Sequence, residues 1–380
     1  MAKIQETDNV QGILRTLVFL LAVFLVACNS EQNSDKPTTT TKATVSNKDS
    51  IKPITNFYKH LVGNLANHAI TMDLQANEAK ITGSYFYNKV GLLLKLSGSI
   101  TKQNVYSFYE IDPNGDTTGL FTGQLIEQEG LSGTWTNIKT KQQFSFEFSE
   151  RDTGFCRVKS EHYERVNCAL ADSIKAYNIT EPEDPNDTLC TFRTLNLLRI
   201  ELGNKTVSDK IYQACLDEVA AFADTEPTVE AILSVVDNGE QGFEDELTVF
   251  VQTNTSLILS VEVIHSQYWY GAAHPNSNAD CLNFDLRTGE LISAESILKP
   301  SALPIIEKIA KKDFESNYGK EREFFLSDDF TIAPGGLQFN YDPYEIGSYA
   351  EGYISVFIPY SKIRNYIKTG SVLDVWLKGM

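Results

Sequence analysis

Two different hydrophobic patterns divide the chain. Between residues 54 and 150, apolar and polar residues alternate over short stretches such as Phe144–Phe148, and turn sequences such as Asp112-Pro113-Asn114-Gly115 separate these stretches. Short strands at this spacing are typical of an antiparallel meander that closes into a small barrel. We therefore predict an all-β N-terminal module over residues 54–150.

A recurring four-residue unit marks this module: an apolar residue, Ser or Thr, Gly, and again Ser or Thr. Its copies begin at Ile81, Leu96 and Leu131, and a looser copy begins at Phe121. A glycine inside a strand indicates a bend or a close approach of another backbone, as a tightly curled sheet requires.

The C-terminal half is organised around residues 257–290. An apolar alternation predicts a strand over Leu257–Tyr270, a loop of small residues follows, and a second strand is expected over Cys281–Leu286. Apolar residues at helical spacing predict helices, and shorter alternations predict strands. The further predicted helices are Ser208–Ala223, capped by Ser208, Leu303–Tyr318 and Ser361–Ile367, and the further strands are Leu337–Tyr341, Tyr353–Pro359 and Leu373–Leu377.

These elements predict an α+β fold class, in which helices pack on one face of an antiparallel sheet. Residues 151–246 are expected to form a connecting region that leads into a C-terminal domain over residues 247–380. Acidic loops, such as residues 181–187, interrupt this connecting region.

The N-terminus carries an export signal. An apolar run, Leu17–Ala27, follows Arg15, and it is too short to span a membrane. The sequence Leu25-Val26-Ala27-Cys28 resembles the lipobox of bacterial lipoproteins. We expect residues 1–27 to be a signal peptide, Cys28 to be lipidated, and residues 28–53 to be a disordered tether. The alternative is an ordinary secretory peptide in which the cysteine occurs by chance.

Lipidated Cys28 would anchor the protein to a bacterial membrane, on the periplasmic or the surface side of the cell envelope. The formal net charge of −17 argues against nucleic acid as a partner. The same charge would attract a cationic protein, although it is also what solubility alone would require.

Five of the six cysteines remain after Cys28 is set aside. An exported chain can use them as disulfides. We expect Cys156 to pair with Cys168 and Cys190 with Cys215, because each pair flanks one local unit, and Cys281 to remain a thiol. The chain contains no Cys-x-x-Cys, so a zinc ribbon is not expected.

Catalytic motifs give little signal. The five histidines form no His-Glu-x-x-His, and neither Gly-x-Ser-x-Gly nor a P-loop occurs. We therefore assign no catalytic residue, metal or cofactor. His265 lies on the apolar face of its strand and is expected to be a core histidine. His274 lies in a loop of small residues and could fix that loop or bind a ligand; an enzymatic alternative pairs it with Asp280.

Two segments resemble a known domain. They are Tyr270-Gly271-Ala272-Ala273-His274-Pro275-Asn276 with the following Phe284–Glu290, and Phe339–Ile346 with Gly352–Tyr360. The resemblance is to the C-terminal domain of unknown function of the anti-sigma factor RsiV, which also occurs in the peptidoglycan deacetylase PdaC. The chain departs from the family at Ala272 and Ala273. It also shows neither a sigma-binding segment nor deacetylase motifs.

The resemblance implies an extracytoplasmic module, which binds lysozyme in RsiV and accompanies a separate catalytic domain in PdaC. We therefore predict a non-enzymatic binding module for a wall-related ligand, such as a peptidoglycan fragment, or for a cationic protein such as a lysozyme. The remaining alternatives are an envelope hydrolase and a purely structural component. The residues expected to bind the ligand are Tyr270, Gly271, His274, Asn276, Tyr341, Asp342, Tyr344 and Glu345.

Overall fold

The computed structural model describes residues 56–126, 130–170, 188–235 and 243–379, which form a closed β-barrel followed by two further sheets. The predicted signal peptide, Cys28 and the tether lie outside the described residues. Within the described ranges, no helix is both long and apolar enough to cross a membrane.

Eight antiparallel strands form the barrel, which closes where the first strand pairs with the eighth, Leu61 opposite Glu150. The strands are β1 Asn56–Leu65, β2 His68–Asn77, β3 Lys80–Tyr87, β4 Leu94–Ile100, β5 Val105–Ile111, β6 Thr117–Ile126, β7 Gly130–Asn137 and β8 Gln143–Glu150. Aromatic side chains such as Phe108, Phe121 and Phe148 fill the interior. The predicted all-β barrel is confirmed.

The repeated glycines lie where neighbouring strands come too close for a side chain. A Cβ at Gly98 would lie 2.2 Å from the carbonyl oxygen of Ser107, and one at Gly133 would lie 2.1 Å from that of Thr122. Real Cβ atoms do not approach backbone oxygens this closely, so the recurring unit marks close backbone approach, as predicted.

A six-stranded sheet follows, in the order β14-β13-β12-β11-β10-β9. Its strands are β9 Arg157–Leu170, β10 Thr188–Glu201, β11 Phe243–Asn254, β12 Ile258–Trp269, β13 Asn276–Asp285 and β14 Glu290–Leu291. Strands β10 and β11 are parallel, with Leu195 opposite Leu247, and the other pairs are antiparallel. The predicted α+β class is confirmed, but the sheet is mixed because helices intervene between β10 and β11 and allow a parallel crossover.

These intervening helices are α1 Lys205–Phe222 and α2 Val229–Ser234. Helix α1 packs Ile211, Cys215 and Val219 against the sheet. The predicted cap was wrong, because the side chain of Asn204 caps α1 by accepting a hydrogen bond from Thr206 N. Ser208 lies inside the helix instead.

A three-stranded sheet and four helices complete the fold. The strands are β15 Phe330–Ala333, β16 Gly336–Tyr341 and β17 Ile354–Pro359, and the helices are α3 Ala294–Ile297, α4 Leu303–Tyr318, α5 Tyr360–Ile363 and α6 Val372–Gly379. Helix α4 has the predicted bounds, with Pro304 in its first turn and Gly319 as its C-cap. Every residue of β16 is buried, so this short strand is covered on both faces.

The strand predicted over Leu373–Leu377 was wrong, because this segment belongs to helix α6. The alternation in this short segment fits a strand, but the buried residues Val372, Leu373 and Trp376 follow helical spacing. The helix also pairs Lys378 with Asp374 one turn earlier, at 2.7 Å.

Buried polar contacts join the barrel to the six-stranded sheet. The side chain of Ser84 donates to the carbonyl of Gln252 at 2.7 Å, and that of Gln75 donates to the carbonyl of Val249 at 3.2 Å. The ammonium group of Lys95 lies 2.6 Å from the carboxylate of Glu262. Accordingly, the described residues belong to one compact unit.

Candidate functional site

The loop between β12 and β13 meets the loop between β16 and β17. The rings of His274 and Tyr349 stack with centroids 3.9 Å apart and planes inclined by 26°. The hydroxyl of Tyr349 donates to the carbonyl of Pro275 at 2.5 Å, and Nδ1 of His274 lies 2.9 Å from the same carbonyl. These contacts hold the two loops together at the surface.

Tyr344 extends this group. Its ring centroid lies 5.7 Å from that of Tyr349, and the residue is 68% exposed. Its φ of +77° is unusual for a large side chain. Such strained backbone clusters at functional sites, where the surrounding structure must hold it. We call His274, Tyr344 and Tyr349 the aromatic patch.

A network of hydrogen bonds fixes the loop that carries the patch. The carboxylate of Glu351 accepts from Ser348 N at 2.8 Å and pairs with Arg322 at 2.8 Å. Beyond the turn, the hydroxyl of Tyr353 donates to Ser277 Oγ at 2.8 Å. The patch is therefore positioned from both sides, by its own turn and by strand β13.

Asp342 and Asp329 attach this loop region to β13. Asp342 accepts from Ala279 N at 3.0 Å, and Asp329 accepts from Cys281 N at 2.7 Å. Burial raises the pKa of each carboxyl to about 7. Among the described residues, β14 pairs with β13 only at Phe284 and Asp285, so these carboxylates satisfy edge groups that have no strand partner.

Two cavities flank the patch. One of about 330 Å³ lies between the barrel and the C-terminal loops, and its lining includes Lys95, Asp112, Tyr349 and Tyr353. A more open groove of about 430 Å³ runs beside Tyr344, and its charged lining residues are Arg322, Glu323, Glu345 and Glu351. The first combines aromatic and charged groups, whereas the second is mainly acidic.

The other predicted ligand residues do not all lie at the aromatic patch. Glu345 is exposed beside Tyr344, and its carboxylate accepts from Asp342 N at 2.7 Å. Asn276 and Gly271 are exposed in the same loop region as His274. The hydroxyl of Tyr270 instead lies 3.5 Å from Glu244, at the start of β11.

Tyr341 is not a surface residue, and its assignment to ligand binding was wrong. It is 1% exposed. Its hydroxyl donates to the carbonyl of Phe325 at 2.8 Å and accepts from Ser327 N at 3.3 Å. Tyr341 lies at the end of β16, which is covered on both faces, so its tyrosine hydroxyl serves the scaffold.

The predicted ligand residues did not include Tyr349, which the structure places between His274 and Tyr344. They also did not include Lys95 and Asp112, which the barrel contributes to the smaller cavity. No local pattern could reveal these two, because they approach the patch only after the barrel has packed on the sheet.

The residues of the enzymatic alternative are not assembled. Asp280 lies near Glu218 on helix α1, and burial raises the pKa of both carboxyls. In the described part of the chain, no hydrogen bond or ion pair joins Asp280 to His274, and no group of three or more His, Cys, Asp or Glu residues could hold a metal ion. His265 is a buried core histidine, as predicted, with Nε2 2.7 Å from Asp245.

The two predicted disulfides are wrong, because Cys156 and Cys215 are both free. The thiol of Cys156 is buried and donates to Asn254 Oδ1 at 3.1 Å. Cys215 packs into the core between helix α1 and the sheet. Neither thiol is therefore available to the partner that local spacing suggested.

Part of the chain is similar to proteins of unknown function. No curated protein matches the chain. A solved structure of a member of the DUF3298 family from Bacteroides fragilis is 13% identical, with a TM-score of 0.45, and covers 60% of this chain and 100% of its own. One from Pseudomonas aeruginosa is 17% identical, with a TM-score of 0.40, and covers 55% of this chain and 94% of its own. Residues 295–361, which include Tyr344 and Tyr349, match the family described as a protein of unknown function (DUF3298).

Proposed function

We propose that the protein is a non-enzymatic binding module of the bacterial cell envelope, anchored to a membrane through lipidated Cys28. The aromatic patch binds a cationic protein such as a lysozyme. The observation that carries this proposal is the exposed, backbone-strained Tyr344, which lies against the stacked pair of Tyr349 and His274. Exposed tyrosines on a firmly held loop are typical anchors of protein interfaces.

Charge supports a cationic partner. The chain carries a formal net charge of −17, and the groove beside Tyr344 has three glutamates against the single cation of Arg322. A surface of this kind accelerates encounter with a positively charged protein and disfavours an anionic one.

The second candidate ligand is a peptidoglycan fragment. The cavity between the barrel and the patch favours it, because Tyr349 and Tyr353 offer ring faces to a sugar and Lys95 and Asp112 offer polar groups. A cavity of about 330 Å³ lies at the lower end of the usual range for small-molecule sites. A wall fragment would therefore bind as a short oligosaccharide or muropeptide.

The test is equilibrium binding of the mature protein, in detergent, to hen lysozyme and to purified muropeptides. Tyr344→Ala should weaken lysozyme binding about 30-fold, because loss of an interface anchor costs ~2 kcal/mol or more. The matched control is Tyr109→Ala, since Tyr109 is also exposed but lies on the barrel. Its affinity should stay within about twofold of wild type.

Salt provides an independent check. Lysozyme binding should weaken between about 50 mM and 500 mM salt, because the screening length of exposed charges falls from about 14 Å to about 4 Å over this range. Affinity that is equal in Tyr344→Ala and wild type would contradict the role of the patch. Binding of muropeptides but not of lysozyme would instead favour the second candidate.

A further inference from the structure

Two cysteines lie directly opposite each other in the six-stranded sheet. The antiparallel register of β9 and β10 runs without a shift from Arg157 opposite Glu201 to Leu170 opposite Thr188, and it places Cys168 opposite Cys190. Sequence spacing alone predicted other partners for both, Cys156 for Cys168 and Cys215 for Cys190.

Side chains that lie opposite each other on one face of the β9–β10 pair are in contact. His162 and Asn196 are opposite each other, and Nδ1 of His162 lies 2.7 Å from Oδ1 of Asn196. Cys168 lies six residues after His162, and Cys190 lies six residues before Asn196. Side chains alternate with a period of two along a strand, so both cysteines occupy positions on that same face.

The spacing of such a pair suits a disulfide. Residues directly opposite in antiparallel strands have Cα atoms about 4.5 or 5.5 Å apart, depending on the hydrogen-bond pattern. Disulfides span Cα distances of about 4.4–6.8 Å. Both kinds of opposite pair therefore fall within the range.

The other cysteines of the described residues do not compete for these two. Cys156, Cys215 and Cys281 are free, and each lies in a different surrounding. Burial raises the pKa of Cys156 and of Cys215 to about 12, and it raises the pKa of Cys281 as well. Because the thiolate is the species that exchanges, these three thiols react slowly with a disulfide.

We propose that Cys168 and Cys190 form a disulfide bond that ties together the ends of β9 and β10. One thiolate attacks an external disulfide and releases the first thiol, and the second thiolate then displaces the other thiol from the mixed disulfide. The two cysteines lose two electrons and two protons, and the external disulfide gains them as two thiols. The bond closes a loop of 21 residues, since positions 168 and 190 are 22 apart.

The proposal goes beyond ligand binding and is compatible with export to an oxidising compartment. It is tested on the full chain, purified with its thiols reduced and then exposed to oxidised glutathione. Free thiols are alkylated in denaturant before trypsin is added without reductant. Trypsin places Cys168 in residues 166–175 and Cys190 in residues 176–193, because Arg165, Lys175 and Arg193 are cleavage sites.

The expected product is these two peptides joined, two hydrogens lighter than their sum, and reduction should separate them. Cys168→Ser should abolish the joined product and leave Cys190 alkylated. The matched control Cys281→Ser should keep it, because Cys281 is a free thiol whose neighbours Thr331 and Asn340 can also bond a serine. Recovery of both peptides as alkylated monomers, or joined to another cysteine, would overturn the proposal. Neither result depends on lysozyme binding.

Discussion

Tyr341 and Tyr344 are three positions apart and lie in opposite environments. Tyr341 is buried, and its hydroxyl bonds to Phe325 and Ser327 of the preceding loop. Tyr344 is exposed and has a positive φ, which costs free energy without any compensating burial. Burial explains why a tyrosine occupies position 341, whereas the tyrosine at position 344 is better explained by a role at the surface.

Tyr341→Phe should lower the free energy of unfolding by about 1–2 kcal/mol, because it removes two hydrogen bonds and leaves Ser327 N without its partner. Urea denaturation measures this loss. Affinity for lysozyme should not change, since the ring stays in place. Tyr344→Ala should instead weaken lysozyme binding and change stability little, because alanine makes the same demand on the backbone and the side chain of Tyr344, which is 68% exposed, buries little apolar surface. Equal loss of stability in both variants would show that Tyr344 is scaffold as well.

At the scale of elements, β13 shows how an incomplete sheet edge is protected. Two of its N–H groups bond to carboxylates from outside the sheet, one from Asp342 and one from Asp329. An uncovered edge of this kind would otherwise be a template for pairing with another chain. Burial makes ionisation of these carboxyls unfavourable, so the protection depends on pH.

Stability should therefore fall as pH rises from about 5 to about 8. Both aspartates have an ordinary pKa of 3.8, which the fold raises to about 7. Between these values the folded state binds more protons than the unfolded state, so their stabilising effect is complete below pH 4 and is lost through pH 7. At about 1.4 kcal/mol per group and per pH unit between pH 5 and 7, the loss for the pair is at most about 5 kcal/mol, and the partial exposure of Asp342 makes it smaller.

The Asp329→Asn, Asp342→Asn double variant separates this effect from that of other groups. Asparagine cannot ionise, yet its carbonyl oxygen can still accept from Ala279 N and Cys281 N. Urea midpoints measured across the pH range should be flatter for the double variant than for wild type. The carboxylates that surround these two positions, Glu262, Asp280 and Glu345, remain in both proteins. Parallel curves would contradict the assignment.

Elements with a long, regular pattern could be predicted from sequence. The strand predicted over Leu257–Tyr270 is observed as Ile258–Trp269, and the helix predicted over Leu303–Tyr318 is observed with the same bounds. The five residues of Leu373–Leu377 were too short to distinguish strand from helix. The parallel pairing of β10 with β11 left no signal, because it depends on how distant segments pack.

The candidate site was predictable to a similar degree. A loop of small residues pointed to His274, and the resemblance over Phe339–Ile346 pointed to Tyr344. The structure places both beside Tyr349. Tyr341 was misassigned because sequence does not show that both faces of β16 are covered. The contribution of Lys95 depends on barrel docking, which no sequence period encodes.

At the scale of the whole molecule, one buried ion pair joins the barrel to the sheet. The Glu262 side chain is 2% exposed, and it bonds to Lys95 at 2.6 Å and to Gln252 at 2.5 Å. The Lys95 ammonium also lies 5.2 Å from the ring centroid of Tyr353, at the rim of the cavity beside the patch. This pair therefore couples barrel docking to the shape of the candidate site.

Lys95→Ala should lower the free energy of unfolding by ~3 kcal/mol, because Glu262 would remain buried without its cation. Lys80→Ala is the matched control, since Lys80 pairs with Glu246 across the same junction at 2.6 Å, but in a more exposed position. Its effect should stay below about 1 kcal/mol and should vanish at high salt. Urea denaturation, followed by circular dichroism, measures the loss of unfolding free energy in both variants. Two outcomes would contradict this prediction: an equal loss of stability in both variants, or a loss in Lys95→Ala that high salt also abolishes. Either would show that Glu262 is solvated and that its pairing with Lys95 does not hold the barrel on the sheet.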